Sequence, residues 1–106
     1  MRFSDEMIQQ VWEKGRATLD QDSTIWRKDE CGAWMNRAYY GNERSEYGWK
    51  IENVSTGGPD ILENLRPLHR HNTFDRANHQ AKCRVAADRA GLEPSEHIKE
   101  PRNRNA

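Results

Sequence analysis

Near the N-terminus, Phe3, Met7, Ile8, Val11 and Trp12 recur at three- and four-residue intervals, which predicts an amphipathic helix. Ser4 stands where a helix cap is expected, and Asp5 and Glu6 place negative charge in the first turn, where the helix dipole favours it. Gly15 weakens or ends that helix, and Leu19 to Thr24 reads as a loop. The pattern then changes. Trp26 to Met35, Tyr39-Tyr40-Gly41 and Ser45 to Gly48 alternate aromatics with glycines, as short strands and turns do. Trp49 to Val54 predicts a strand with Trp49, Ile51 and Asn53 on one face and Lys50, Glu52 and Val54 on the other. Ser55 to Ile61 is a polar, glycine-rich loop. Leu65 to Leu68 is a second short strand, and Pro67 asks for an edge or irregular position there.

From about Thr73 the spacing reads as helical. Phe74, Ala77, Ala81, Val85 and Ala86 fall on one side, while Arg76, His79, Lys82 and Arg84 largely fall elsewhere. Ala90-Gly91 is the expected helix end, since Gly91 tolerates positive φ. Glu93 to Ala106 is polar and broken by Pro94 and Pro101, which predicts a flexible tail.

Composition narrows the picture. In 106 residues the hydrophobic share is 34% and the charged share 32%, so four Trp, three Tyr and two Phe must supply much of the core. Trp26, Trp34, Tyr40 and Trp49 are read mainly as packing residues. Formal net charge is zero, so no global field draws the protein to nucleic acid or an acidic membrane. The charge is uneven, however. Arg66, Arg70, Arg76, Lys82, Arg84 and Arg89 are opposed only by Asp75 and Asp88 within residues 66–89, a candidate phosphate-contact face.

Cys31 and Cys83 are single and distant. A four-thiolate zinc knot is impossible, and one bridge between them is possible in an oxidising compartment, but their spacing argues no disulfide framework. Met1 to Glu6 is acidic and has no apolar signal-peptide core, and no run reaches transmembrane length. The expected setting is cytoplasmic, with no membrane partner.

Several spacings agree on one further pattern. Tyr47-Gly48-Trp49-x-Ile51-Glu52-Asn53-Val54, the Gly57-Gly58-Pro59-Asp60 loop, Asn64-Leu65-x-Pro67-Leu68 and Asn72 together resemble the HNH endonuclease family, whose core is a ββα-metal finger. Trp26-Arg27-Lys28-Asp29 and Tyr40-Gly41 resemble one subgroup of such proteins. The resemblance implies an α+β single domain: residues 1–25 as an N-terminal helix and connection, 26–91 as the finger domain, and 92–106 as the tail. It also implies a metal-dependent phosphodiester hydrolase. By position Glu52 matches the acid that binds Mg²⁺ or another divalent cation, Asn53 the general base, Asn64 the brace of the loop, and Asn72 the second metal ligand. The finger helix would lie against nucleic acid, with Arg70, Arg76 and Arg84 contacting phosphates without reading sequence.

One position departs from the family. An amide at Asn53 has no pKa near neutrality and cannot take a proton from water, which removes a contribution of about 10²–10⁴-fold. His69 is the alternative base, if it ends the second strand across from Glu52 and Asn53, and His71 is a possible extra ligand. Their simpler role is to hydrogen-bond the junction after that strand. The sequence therefore leaves three functions open: a finger that binds DNA or another nucleic acid with cleavage lost or reduced, a nuclease using a relocated histidine, and a protein-interaction module built on the same scaffold.

Overall fold

The computed structural model of the chain describes residues 3–87. Helix α1 (Asp5–Trp12) forms as the pattern requires, and the Ser4 side chain accepts a hydrogen bond from the Met7 N–H at its N-terminus. Its buried face is Ile8, Val11 and Trp12. Six short strands follow: β1 (Trp26–Lys28), β2 (Trp34–Asn36), β3 (Trp49–Asn53), β4 (Leu65–His69), β5 (Thr73–Asp75) and β6 (Gln80–Lys82). They pair as three separate antiparallel ribbons, β1–β2, β3–β4 and β5–β6. The fold is a small mixed α+β domain.

No two-stranded ribbon this short is stable alone in water, so packing between elements must hold the domain together. The main core lies where α1 meets β2 and β3. Trp12 and Trp49 stack at a tilt with centroids 5.1 Å apart, and Ile8 and Met35 close around them. The Trp12 indole N–H donates to the Ser23 carbonyl, so burying that ring leaves no donor unpaired. A smaller core on the other side of β3–β4 joins Val54, Leu68 and Phe74. Trp49 and Trp34 are buried, as packing residues should be, while Trp26 packs edge-on against Trp34 and Tyr47.

The helix expected from Thr73 is absent. Residues 73–82 fold instead as the β5–β6 hairpin, and the part of that expected helix beyond Ala87, its Ala90-Gly91 end and the tail lie outside the described residues. Local chemistry explains the difference. Asp75 Oδ1 accepts from the Ala77 and Asn78 N–H groups and Oδ2 from the Asn78 amide, a side-chain-to-backbone turn that competes with helix. These bonds, the Asn78 amide first among them, hold the Asp75 carboxyl below its usual range. His79 then takes φ 52°, which closes the turn. The apolar residues used to infer a helix were mostly alanines, which bury too little to override that turn.

The sequence left a single bridge between the cysteines open, and the structure closes it. Cys31 and Cys83 form a disulfide, with Cα atoms 5.5 Å apart across 52 residues of chain. It ties the segment after β6 to the turn between β1 and β2. The Ala87 N–H donates to the Gly32 carbonyl in the same junction, and Val85 and Ala86 are buried there. No helix among the described residues is long and apolar enough to cross a membrane.

Candidate functional site

The β3–β4 ribbon carries the residues singled out in the sequence, and its register decides which of them meet. Trp49 pairs with His69, Lys50 with Leu68, Ile51 with Pro67, Glu52 with Arg66 and Asn53 with Leu65. His69 and Asn53 therefore stand at opposite ends of the ribbon, roughly 13 Å apart at the usual rise per strand residue. The expected position of His69 across from Glu52 and Asn53 is not what the fold builds. The antiparallel register forbids it, because a residue at the end of β4 meets the start of β3.

At the Asn53 end, the side-chain amide is wholly engaged. Oδ1 accepts from the Ser55 N–H and hydroxyl, and Nδ2 donates to the Gly58 and Pro59 carbonyls and to Asp60. Asn64 reaches the same Pro59 carbonyl from the other side, at 2.9 Å. The two amides hold the 55–60 loop shut between the strands. Gly58 belongs to this design, because a Cβ there would lie 2.4 Å from Ser55 Oγ and 2.9 Å from the Asn64 amide nitrogen. Glu52 is occupied as well. One carboxylate oxygen accepts from the Phe74 N–H and the other pairs with Lys50 at 2.8 Å.

Asn72 lies elsewhere, fully buried in the turn between β4 and β5. Its Oδ1 accepts from the Arg84 and Val85 N–H groups, and its Nδ2 donates to Asp29 and to the Val85 carbonyl. Both lone pairs of that oxygen are used, so in this arrangement it has none for a metal ion. Asp29, 1% exposed, completes the group. Its Oδ1 accepts from the Cys31 and Ala33 N–H groups, and its Oδ2 from the His69 N–H and the Asn72 amide. Burial raises the Asp29 pKa, and these four donors, Asn72 foremost, offset part of that rise. This buried Asp29–Asn72 pair was missed in the sequence reading. Its signal was an Asp two residues before Cys31-Gly32, the spacing at which a carboxylate closes a turn on its own backbone.

His69 is equally committed. Nε2 contacts the Glu46 carbonyl and must therefore donate, while Nδ1 accepts from the His71 N–H at 3.2 Å, which fixes the neutral tautomer. Burial pushes its pKa down to about 4 against the opposing pull of the Glu46 carbonyl. The unfolded chain binds a proton at His69 near pH 6.5 and the folded chain near 4. Stability is therefore complete above 6.5, falls as pH drops from 6.5 to 4, and levels off below. The loss is at most about 3 kcal/mol. Asp29 acts with the opposite sign at the acid end, because its folded carboxyl takes up a proton before the unfolded one does. Urea titrations at pH 7.5 and 5 should show the wild type losing stability on acidification and His69→Gln losing markedly less. Equal losses would remove His69 as the cause.

The arginines do not share a helix face among the described residues, because residues 73–82 form the β5–β6 hairpin. Arg70 donates to the Ser45 carbonyl at the His69 end, Arg76 to the Asn53 carbonyl at the loop end, and Arg84 follows Cys83 in the disulfide junction. A cleft of about 440 Å³ opens at the His69 end, lined by Lys50, Arg70, His71 and the 41–43 loop. Among the described residues no three His, Cys, Asp or Glu side chains come together as a metal site. The fold and site define a small disulfide-linked α+β domain with a polar, internally bonded β-ribbon loop. Comparison of the chain with protein-family models, with curated proteins and with solved structures gives no match.

Proposed function

We propose that this chain binds nucleic acid through the surface around its β3–β4 ribbon, the two-stranded part of an HNH-like frame whose expected helix is replaced by the β5–β6 hairpin, and does not cleave it by the usual metal-and-base route. The observation that carries this reading is the use of Asn53. The residue in the general-base position has an amide with no basic nitrogen, and all of that amide serves the loop. Glu52 and Asn72, the proposed ligands, are likewise bonded within the fold. What supports binding is the supply of cations on the surface around this ribbon: Lys50 and Arg70 in the cleft at one end, Arg76 at the other, and exposed Arg84 beyond. They are spread out, and the chain is neutral overall, so the expected affinity is weak, sequence-independent and strongly salt-dependent.

Two measurements test the two halves. Supercoiled plasmid incubated with the pure protein and Mg²⁺ or Mn²⁺ should remain unnicked. Nicking that appears with metal and disappears in Glu52→Gln would overturn the non-cleaving half, and that variant keeps an acceptor for the Phe74 N–H. Fluorescence anisotropy with duplex and single-stranded DNA should show binding at about 50 mM salt that falls steeply by about 200 mM. A combined Arg70→Gln, Arg76→Gln, Arg84→Gln variant should bind at least tenfold more weakly. No binding at the lower salt would end the nucleic-acid half.

A further inference from the structure

A second basic site lies apart from the residues to which the resemblance gives a catalytic, metal-binding or nucleic-acid role. The chain after α1 runs back along β1, where Arg16 and Lys28 form an isolated antiparallel bridge. Two reciprocal backbone hydrogen bonds close it, Arg16 N–H to the Lys28 carbonyl at 2.8 Å and Lys28 N–H to the Arg16 carbonyl at 2.9 Å. Like charges held directly opposite across an antiparallel pair destabilise it. A second repulsion occurs alongside. Lys14 is held by its ammonium on the Leu62 and Leu65 carbonyls, and its pKa is lowered by burial first and then by Arg66, with Glu63 opposing. All four cations line one cleft of about 260 Å³, together with Asp29 and Glu30.

The local carboxylates neutralise Arg66 but leave Arg16 and Lys28 without a carboxylate partner among the described residues. Glu30 pairs with Arg66 at 2.9 Å, and both Asp29 oxygens are turned to the four donors described above. Among the described residues neither Arg16 nor Lys28 has a carboxylate at ion-pair distance. Lys28 instead stands 4.9 Å over the Trp34 ring, which positions the ammonium without neutralising it. The backbone bridge fixes the two Cα positions side by side, so both side chains start from one edge of the cleft.

We propose that this cleft is a phosphate-binding site, in which Arg16 and Lys28 grip the anion and Lys14 and Arg66 add positive potential. Arginine offers the planar fork that matches a phosphate's oxygens, and lysine adds a point charge. The site does not depend on the nucleic-acid reading and is separate from Arg70, Arg76 and Arg84. Glu30 is its internal competitor, because an arriving phosphate draws on the same Arg66.

Inorganic pyrophosphate is the probe, followed by isothermal titration and by thermal unfolding of the disulfide-intact protein at low salt. The wild type should bind it and gain thermal stability. Arg16→Gln/Lys28→Gln should lose at least tenfold in affinity, as expected for two charge-assisted contacts. The same double variant should melt higher than wild type without ligand, because the opposed charges are gone. Glu30→Gln should bind more tightly. A wild type that gives no heat and no melting shift with pyrophosphate overturns the site, as does binding that the double variant keeps in full. A short oligothymidylate separates the sources of phosphate. If the double variant also loses oligonucleotide affinity, the ligand is a nucleic-acid backbone. If it loses only pyrophosphate, the ligand is a free phosphate compound. Failure of Arg70→Gln, Arg76→Gln, Arg84→Gln to weaken DNA binding bears on the proposed function alone.

Discussion

Reduction of the Cys31–Cys83 bond is expected to lower the unfolding free energy by about 4 kcal/mol. The value follows from chain entropy, since the bond closes a loop across 52 residues and denies the unfolded chain that freedom. For a domain of this size it corresponds to a fall of roughly 15–30 °C in Tm. The core is small and the three ribbons share no backbone ladder, and among the described residues no other covalent cross-link joins distant segments. Differential scanning calorimetry with and without a phosphine reductant, beside Cys31→Ser/Cys83→Ser, measures it. A difference below about 1 kcal/mol between oxidised and reduced protein would show that the bond adds no constraint of its own. Hydrogen exchange should report the loss locally, at the Arg84, Val85 and Ala87 N–H groups that dock this segment. The bond also ties stability to surroundings, because a reducing compartment keeps thiols open.

Asp29→Ala is expected to be nearly as severe, at about 4 kcal/mol. The substitution leaves the Cys31, Ala33 and His69 N–H groups and the Asn72 amide without their acceptor in a buried site. Each orphaned buried donor costs about 1–3 kcal/mol, and relaxation prevents the full sum. Asp29→Asn separates shape from chemistry. Its amide nitrogen must face two of those donors whichever way it is turned, so about 2–3 kcal/mol should still be lost. Asn72→Ala should couple to Asp29→Ala, because the two share one hydrogen bond and one junction. A double-mutant cycle in urea should give an interaction energy of about 1–3 kcal/mol. Strict additivity would mean that the pair is two separate packing sites and not one brace. Far-ultraviolet circular dichroism on each variant distinguishes a destabilised domain from an unfolded one.

Helix α1 was legible because its signals are local. The Ser4 cap, the acidic first turn and the Ile8, Val11 and Trp12 stripe all lie within one short stretch and agree. Strands β3 and β4 were legible for the same reason, with a glycine-rich loop between two apolar runs, and the structure extends β4 only to His69. The segment after Asn72 was not. Its alanine spacing fits a helix, and the decisive influences on it are Asp75, which closes the turn, Glu52, which holds the Phe74 N–H from another strand, and a cysteine partner far back in the chain. Two of those three are non-local, and periodicity cannot register them.

The candidate site divides along the same line. Sequence alone determined that Asn53 is not a general base, because that follows from the chemistry of an amide. The resemblance implied a bracing role for Asn64, and in the structure its amide donates to the Pro59 carbonyl. Only the tertiary structure decided that Asn72 braces a buried aspartate and that His69 is kept neutral far from Glu52. It also closed the disulfide and gathered Lys14, Arg16, Lys28 and Arg66 around one cleft. The physical reason is separation along the chain. A residue's own chemistry and that of its near neighbours are written in the sequence, whereas burial, strand register and the meeting of like charges exist only once distant segments are packed together.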